Sequence, residues 1–162
     1  EEIHKMNSCV LDTSVLIKGI FPPVKSINQR VYNRDLDAYE KCKTLIRHLE
    51  SNHIEIFFPR AGLVELICVI TRIEDSKTAD IVFQYANELF VILEESSIFD
   101  RALSIARRTG CSGFDTYMLA SASLQDCYLF TDDAQMYTFA RQVGIRSYLI
   151  RDSSIELLCS PL

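Results

Sequence analysis

The sequence has no long apolar run, no CxxC pair, no histidines at metal-ligand spacing and no apolar stretch behind its first residues. Each absence removes a class. Without a run of transmembrane length, no membrane span is expected. Glu1-Glu2-Ile3-His4-Lys5 does not continue into the apolar core of a secretory leader. Met6 is therefore the expected natural start, with residues 1–5 as an added leader and one domain over 6–158. His48 and His53 lack ligand spacing, and the six cysteines (Cys9, Cys42, Cys68, Cys111, Cys127, Cys159) form no paired motif, which argues against zinc. Cys9, Cys68 and Cys127 lie in apolar runs, where cysteine acts as a small hydrophobe. Free thiols in a reducing cytoplasm are the expectation. No aromatic motif for stacking single-stranded RNA stands out, because the aromatics mostly fall at core spacing.

What is present is ordinary globular composition. The 162 residues, 48% apolar and 24% charged, suit one domain with a full core and leave disorder aside. The net charge of −5 taken alone argues against a nucleic-acid surface. Cations bound to the acids would change that balance, so the count decides little.

Apolar spacing alternates between strand and helix. Strands are predicted at 8–11, 54–58 (stopped by Pro59), 91–93, 128–131 and 147–150. Helices are predicted at 38–49, 61–73, 78–89, 102–108 (closed by Gly110), 112–124 and 134–143 (closed by Gly144). This alternation predicts an α/β fold with a mostly parallel sheet covered on both faces. Residues 21–37, with Pro22-Pro23, Lys25, Arg30 and Arg34, read as an exposed polar insertion.

The acids carry the chemistry. Asp12 follows the strand Ser8-Cys9-Val10-Leu11 and precedes Thr13-Ser14; it could cap a helix or ligate a metal. Glu65 interrupts Leu63-Val64-Glu65-Leu66-Ile67, where a carboxylate snorkels to solvent, pairs with Arg60 or Arg72, or meets a cation. Asp115 sits at the third helical position after Ser112, a capping-box spacing. Asp132-Asp133 follow Tyr128-Leu129-Phe130-Thr131, and one of the pair suffices to cap the next helix. Like charges about 4 Å apart repel by about 4 kcal/mol at an effective dielectric near 20. Converging carboxylates therefore need raised pKa values or a bound cation. A set of oxygens without a matching His or Cys set suits a hard cation, Mg²⁺ or Mn²⁺.

Taken together, Val10-Leu11-Asp12-Thr13-Ser14, Glu65, Phe114-Asp115 and Thr131-Asp132-Asp133 resemble the PIN-domain ribonuclease family, including the VapC-type toxins. The resemblance spans residues 7–150. It implies a Rossmann-like fold with a five-stranded parallel sheet in the order 3-2-1-4-5 and helices on both faces. It further implies Mg²⁺- or Mn²⁺-dependent cleavage of RNA by a cation-activated water, leaving 5′-phosphate and 3′-hydroxyl ends. Asp12, Glu65, Asp115 and Asp133 match the family's four acids. Thr13, Ser14 and Thr131 match positions lining the site, and Asp132 matches a variable position. The resemblance also implies a homodimer and, for the toxin branch, an antitoxin protein as partner. One departure is a longer spacing between Asp12 and Glu65 than in compact VapC toxins, with the excess at 21–37.

Lys18, a turn beyond Ser14, is the cation expected to face the site and hold phosphate. Arg60, Arg107 and Arg108 are expected to be ordinary solvated charges. A phosphatase of the HAD type would want a second Asp where Ser14 stands. A response-regulator receiver would want its acid pair near the first strand. The remaining alternative is a PIN domain that binds RNA or serves as a scaffold without catalysis.

Overall fold

The computed structural model describes residues 8–160. Residues 1–5 and the expected start, Met6, lie outside that range. The chain runs β1 (Ser8–Leu11), α1 (Thr13–Ile20), α2 (Gln29–Ser51), β2 (Glu55–Pro59), α3 (Arg60–Ile73), α4 (Ser76–Leu89) and β3 (Phe90–Leu93). It continues through α5 (Glu95–Thr109), α6 (Gly113–Leu124), β4 (Tyr128–Thr131), α7 (Ala134–Gln142) and β5 (Ser147–Leu149). A 3-10 turn (Ile150–Asp152) and α8 (Ile155–Cys159) follow. No described helix is long and apolar enough to cross a membrane.

The five strands form one sheet in the order β3-β2-β1-β4-β5, and every neighbouring pair is parallel. Consecutive residues Cys9, Val10 and Leu11 of β1 are all fully buried, as are Leu129 and Phe130 of β4. Burial of alternate side chains on opposite faces means the sheet is covered on both sides, as parallel sheets require. The Phe58 and Phe90 rings stack across β2 and β3 with centroids 5.0 Å apart.

The topology fixes where a site can form. The chain proceeds outward from β1 to β2 and β3, then returns to place β4 on β1's other side. The switch point therefore lies between β1 and β4, where crevices open beyond the carboxyl ends of the strands. Leu11 pairs with Phe130, so the residues that follow both strands emerge side by side. The Asp12 N–H donates to the Phe130 carbonyl at 2.9 Å, extending the ladder by one bond.

Several boundaries differ from the sequence reading. The expected insertion at 21–37 is irregular only before α2, which starts at Gln29 with the Asn28 side chain accepting from the Arg30 and Val31 N–H groups. The first turns of α2 are largely exposed and so lack an apolar stripe, leaving no period for the eye to find. Helix α5 begins at Glu95 rather than 102, because Ile98, Ala102 and Ile105 form its buried seam while Phe99 and Leu103 stay exposed. Pro59 belongs to β2, paired with Leu93, and occupies the cap position of α3 instead of stopping the strand before it. Cys68 is exposed on α3, not buried in an apolar run.

Candidate active site

Asp12 stands at the N-cap position of α1 with extended backbone, yet its side chain makes no capping bond. Its Oδ2 accepts from Ser14 Oγ at 2.6 Å and from Thr131 Oγ1 at 2.7 Å. Both hydroxyls are held in turn. Ser14 Oγ accepts the Asp132 N–H at 3.0 Å, and Thr131 Oγ1 accepts the Asp133 N–H at 3.0 Å. A hydroxyl that accepts from a backbone N–H has its single proton left for another acceptor. Both protons thus point at one oxygen of Asp12, and Oδ1 accepts no bond from any described residue.

Asp12 is only 5% exposed, and burial raises its pKa. The Ser14 and Thr131 bonds pull against that, while the charges of Asp115 and Asp133 push it up further. Glu65 is half-buried on α3. Its pKa is also raised by burial, opposed by the bond from Thr13 Oγ1 to Oε2 at 2.9 Å and reinforced by Asp12 and Asp115. Neither arginine expected as its partner reaches it: Arg60 pairs with Glu94, and Arg72 Nε donates to the Cys68 carbonyl. Asp115 sits in the first turn of α6, where Ser112 Oγ accepts its N–H at 3.2 Å. Burial raises its pKa, Ser112 lowers it, and the Asp133 charge raises it again. Asp133 caps α7, with Oδ1 accepting from the Gln135 and Met136 N–H groups at 2.7 and 3.0 Å.

Asp132 behaves differently. It is 2% exposed and ion-paired with both Lys18 and Arg151. Burial pushes its pKa up, but the bonds and charges of Arg151 and Lys18 more than offset this and hold it below the usual carboxylate range. Lys18, expected to hold phosphate, is thus spent on Asp132. Arg151 was not singled out from sequence. Its only signal is a cation directly after the last strand on the β4 side of the switch point.

Among the described residues, Asp132 is thus paired with two cations and the other four acids with none. Among the described residues, no lysine, arginine or histidine forms an ion pair with Asp12, Glu65, Asp115 or Asp133. The chemistry of these side chains is that of donors to a hard cation: they offer only oxygens, and burial disfavours the charged form of Asp12, Glu65 and Asp115. Among the described residues, no three acid, His or Cys side chains stand close enough together to hold a metal ion as they are placed. A separate groove of about 450 Å³ lies between α3 and α4. Leu63, Val64, Ile67 and Phe83 give it an apolar lining that does not suit a polyanion.

Two comparisons bear on this arrangement. The sequence matches the family described as PIN domain over residues 9–142. The fold is similar to the crystal structure of FitAcB from Neisseria gonorrhoeae, with a TM-score of 0.51 and 17% identity. That alignment covers 86% of this chain and 96% of the other, a likeness of fold. No curated protein sequence matches the chain.

Proposed function

The chain belongs to the PIN domain family, whose members are generally nucleases, and on that premise we propose that it is a metal-dependent ribonuclease hydrolysing RNA phosphodiester bonds. The observation that carries this reading is the contrast between Asp132 and the other four acids. Asp132 receives two cations, whereas Asp12, Glu65, Asp115 and Asp133 receive none from any described residue.

Asp12, Glu65, Asp115 and Asp133 would hold Mg²⁺ or Mn²⁺. Such a cation supplies an activated water and neutralises charge on the phosphate oxygens. The chain's own residues set up the rest. Ser14 and Thr131 fix the Asp12 carboxylate so that Oδ1 alone stays open. Thr13 holds Glu65 toward Asp12 and ties α1 to α3. Asp115 and Asp133 add negative charge to the same opening while each is anchored at the start of a helix. The N-termini of α6 and α7 place positive dipole ends beside these acids, which suits binding of anionic phosphate as well.

The test is incubation of purified protein with labelled single-stranded and structured RNA, with Mg²⁺, Mn²⁺ or EDTA, alongside Asp12→Asn. Cleavage that needs metal and disappears in the variant supports the reading. RNA binding without cleavage under all these conditions would replace it with a binding or scaffold role.

A further inference from the structure

We propose that Lys18 and Arg151, closing over the buried Asp132 carboxylate, form an ion cluster that positions the acid site, with Arg151 as a positioning residue supplied by the C-terminal segment. The inference deepens the nuclease reading and rests on it for its consequences in metal binding. Arg151 grips residue 132 through both side chain and backbone. Its own N–H and its Nε reach Asp132 Oδ1 at 3.0 and 3.1 Å, and Nη2 reaches Oδ2 at 3.3 Å. Nη2 also donates to the Asp132 carbonyl, and Lys18 Nζ bonds Oδ2 from α1.

The cluster matters because of what lies on the other side of the same backbone. The Asp132 N–H orients Ser14 Oγ, and the Asp133 N–H orients Thr131 Oγ1. These are the two hydroxyls that fix Asp12 Oδ2. Holding Asp132 therefore fixes both hydroxyls at one remove, and neither Arg151 nor Lys18 need touch substrate. The 3-10 turn that carries Arg151 is itself tied to α2, where Lys41 Nζ donates to the Arg151 carbonyl at 3.3 Å. The planar guanidinium contacts both carboxylate oxygens and the carbonyl together, a geometry a lysine ammonium cannot reproduce.

The test compares wild-type protein with Asp132→Asn, Arg151→Ala, Arg151→Lys and Lys18→Met. Hydrogen exchange at the Asp132 and Asp133 amides is measured together with Mn²⁺ binding by calorimetry and RNA-cleavage kinetics. The expected result for Asp132→Asn and Arg151→Ala is lost protection at both amides and Mn²⁺ binding weakened about 10–100-fold. The drop in cleavage should fall on kcat, with little change in the KM for RNA. Arg151→Lys should recover part of each effect, since it keeps the charge and loses the fork. If Arg151→Ala does not fold, Lys18→Met and Arg151→Lys carry the same comparison. Folded variants with wild-type amide protection and wild-type Mn²⁺ affinity would overturn the proposal. So would a raised KM with unchanged Mn²⁺ affinity, which would make these cations substrate contacts. Wild-type protein that neither binds Mn²⁺ nor cuts RNA would defeat the nuclease reading, while amide protection would still decide the cluster.

Discussion

Thr131 Oγ1 donates to Asp12 Oδ2 across 2.7 Å, joining the end of β4 to the end of β1 over a sequence separation of 119. Thr131 is fully buried and accepts the Asp133 N–H, so one hydroxyl serves two of the site acids. Thr131→Val keeps the shape and removes both bonds. The expected loss is about 10–100-fold in cleavage rate, with a stability cost of about 1–3 kcal/mol for the stranded polar groups. Because the Thr131 bond holds the Asp12 pKa down, its loss should also move the acidic limb of the pH–rate profile to higher pH. Thr131→Ser should recover most of both. Kinetics over a pH series and urea unfolding would check this; a valine variant with the wild-type rate and profile sinks it.

The unpaired acids make the metal-free protein sensitive to pH. Asp12, Glu65 and Asp115 have raised pKa values in the fold. In the unfolded chain such groups ionise near pH 4. As pH rises from there, the unfolded chain gives up protons that the folded chain still holds, so stability falls until the folded values are passed. Asp132 has the opposite sign: its contribution is in place above about pH 4 and is lost as pH falls through its lowered folded pKa. Asp12→Asn should therefore raise the Tm of metal-free protein at pH 7.5, by roughly 2–4 °C for each kcal/mol of relieved strain. It should also blunt stabilisation by Mn²⁺, which in the wild type should reach about 2.7 kcal/mol at a hundredfold excess over Kd. Thermal melts with and without Mn²⁺ decide the matter, and a less stable variant that still gains fully from Mn²⁺ would contradict it.

The sheet and its order were legible because β1 and β4 are short apolar runs ending in acids, and the resemblance placed them side by side. The four candidate acids stood out as residue types, but their environments did not. The resemblance separates Asp133 from Asp132, but nothing in the sequence shows that Lys18 and Arg151 grip Asp132 while Asp133 caps α7. Adjacent carboxylates read alike until the partner 19 positions away is placed. The start of α2 and the true length of α5 were hidden for a different reason. Their outer turns are exposed, so no buried stripe marks them, and only capping chemistry such as that of Asn28 defines the end.

Thr13 and Glu65 form a second link of the same kind, at 2.9 Å between α1 and α3. Removing it in Thr13→Val frees the Glu65 carboxylate and raises its pKa further, since Thr13 is what lowers it. The variant should need a higher Mn²⁺ concentration for half-maximal cleavage, by about tenfold, with RNA binding unchanged in EDTA. Glu65→Gln should abolish the metal response while keeping the hydrogen bond from Thr13. Equal Mn²⁺ requirements in Thr13→Val and wild type would show that the bond only holds two helices together.

Gly62 lies one turn before Glu65, on the side of α3 that faces Met118 of α6 and Phe58 of β2. A Cβ at this position would meet Met118 Cε at 2.5 Å and Phe58 Cε1 at 2.8 Å. The methionine tip can swing aside, but the Phe58 ring is fully buried and stacked on Phe90, so α3 must move instead. Gly62→Ala should cost about 1–3 kcal/mol through overpacking, despite alanine's better helix propensity. The displacement would carry Glu65 away from Thr13, so cleavage should drop even at temperatures where the variant is fully folded. Phe58→Leu removes the obstructing ring atoms. Combined with Gly62→Ala, it should be less destabilising than the sum of the two single changes by about 0.5 kcal/mol or more. Urea unfolding of the four proteins measures this coupling. Strict additivity would mean that Gly62 is retained for some reason other than the approach of α3 to Phe58.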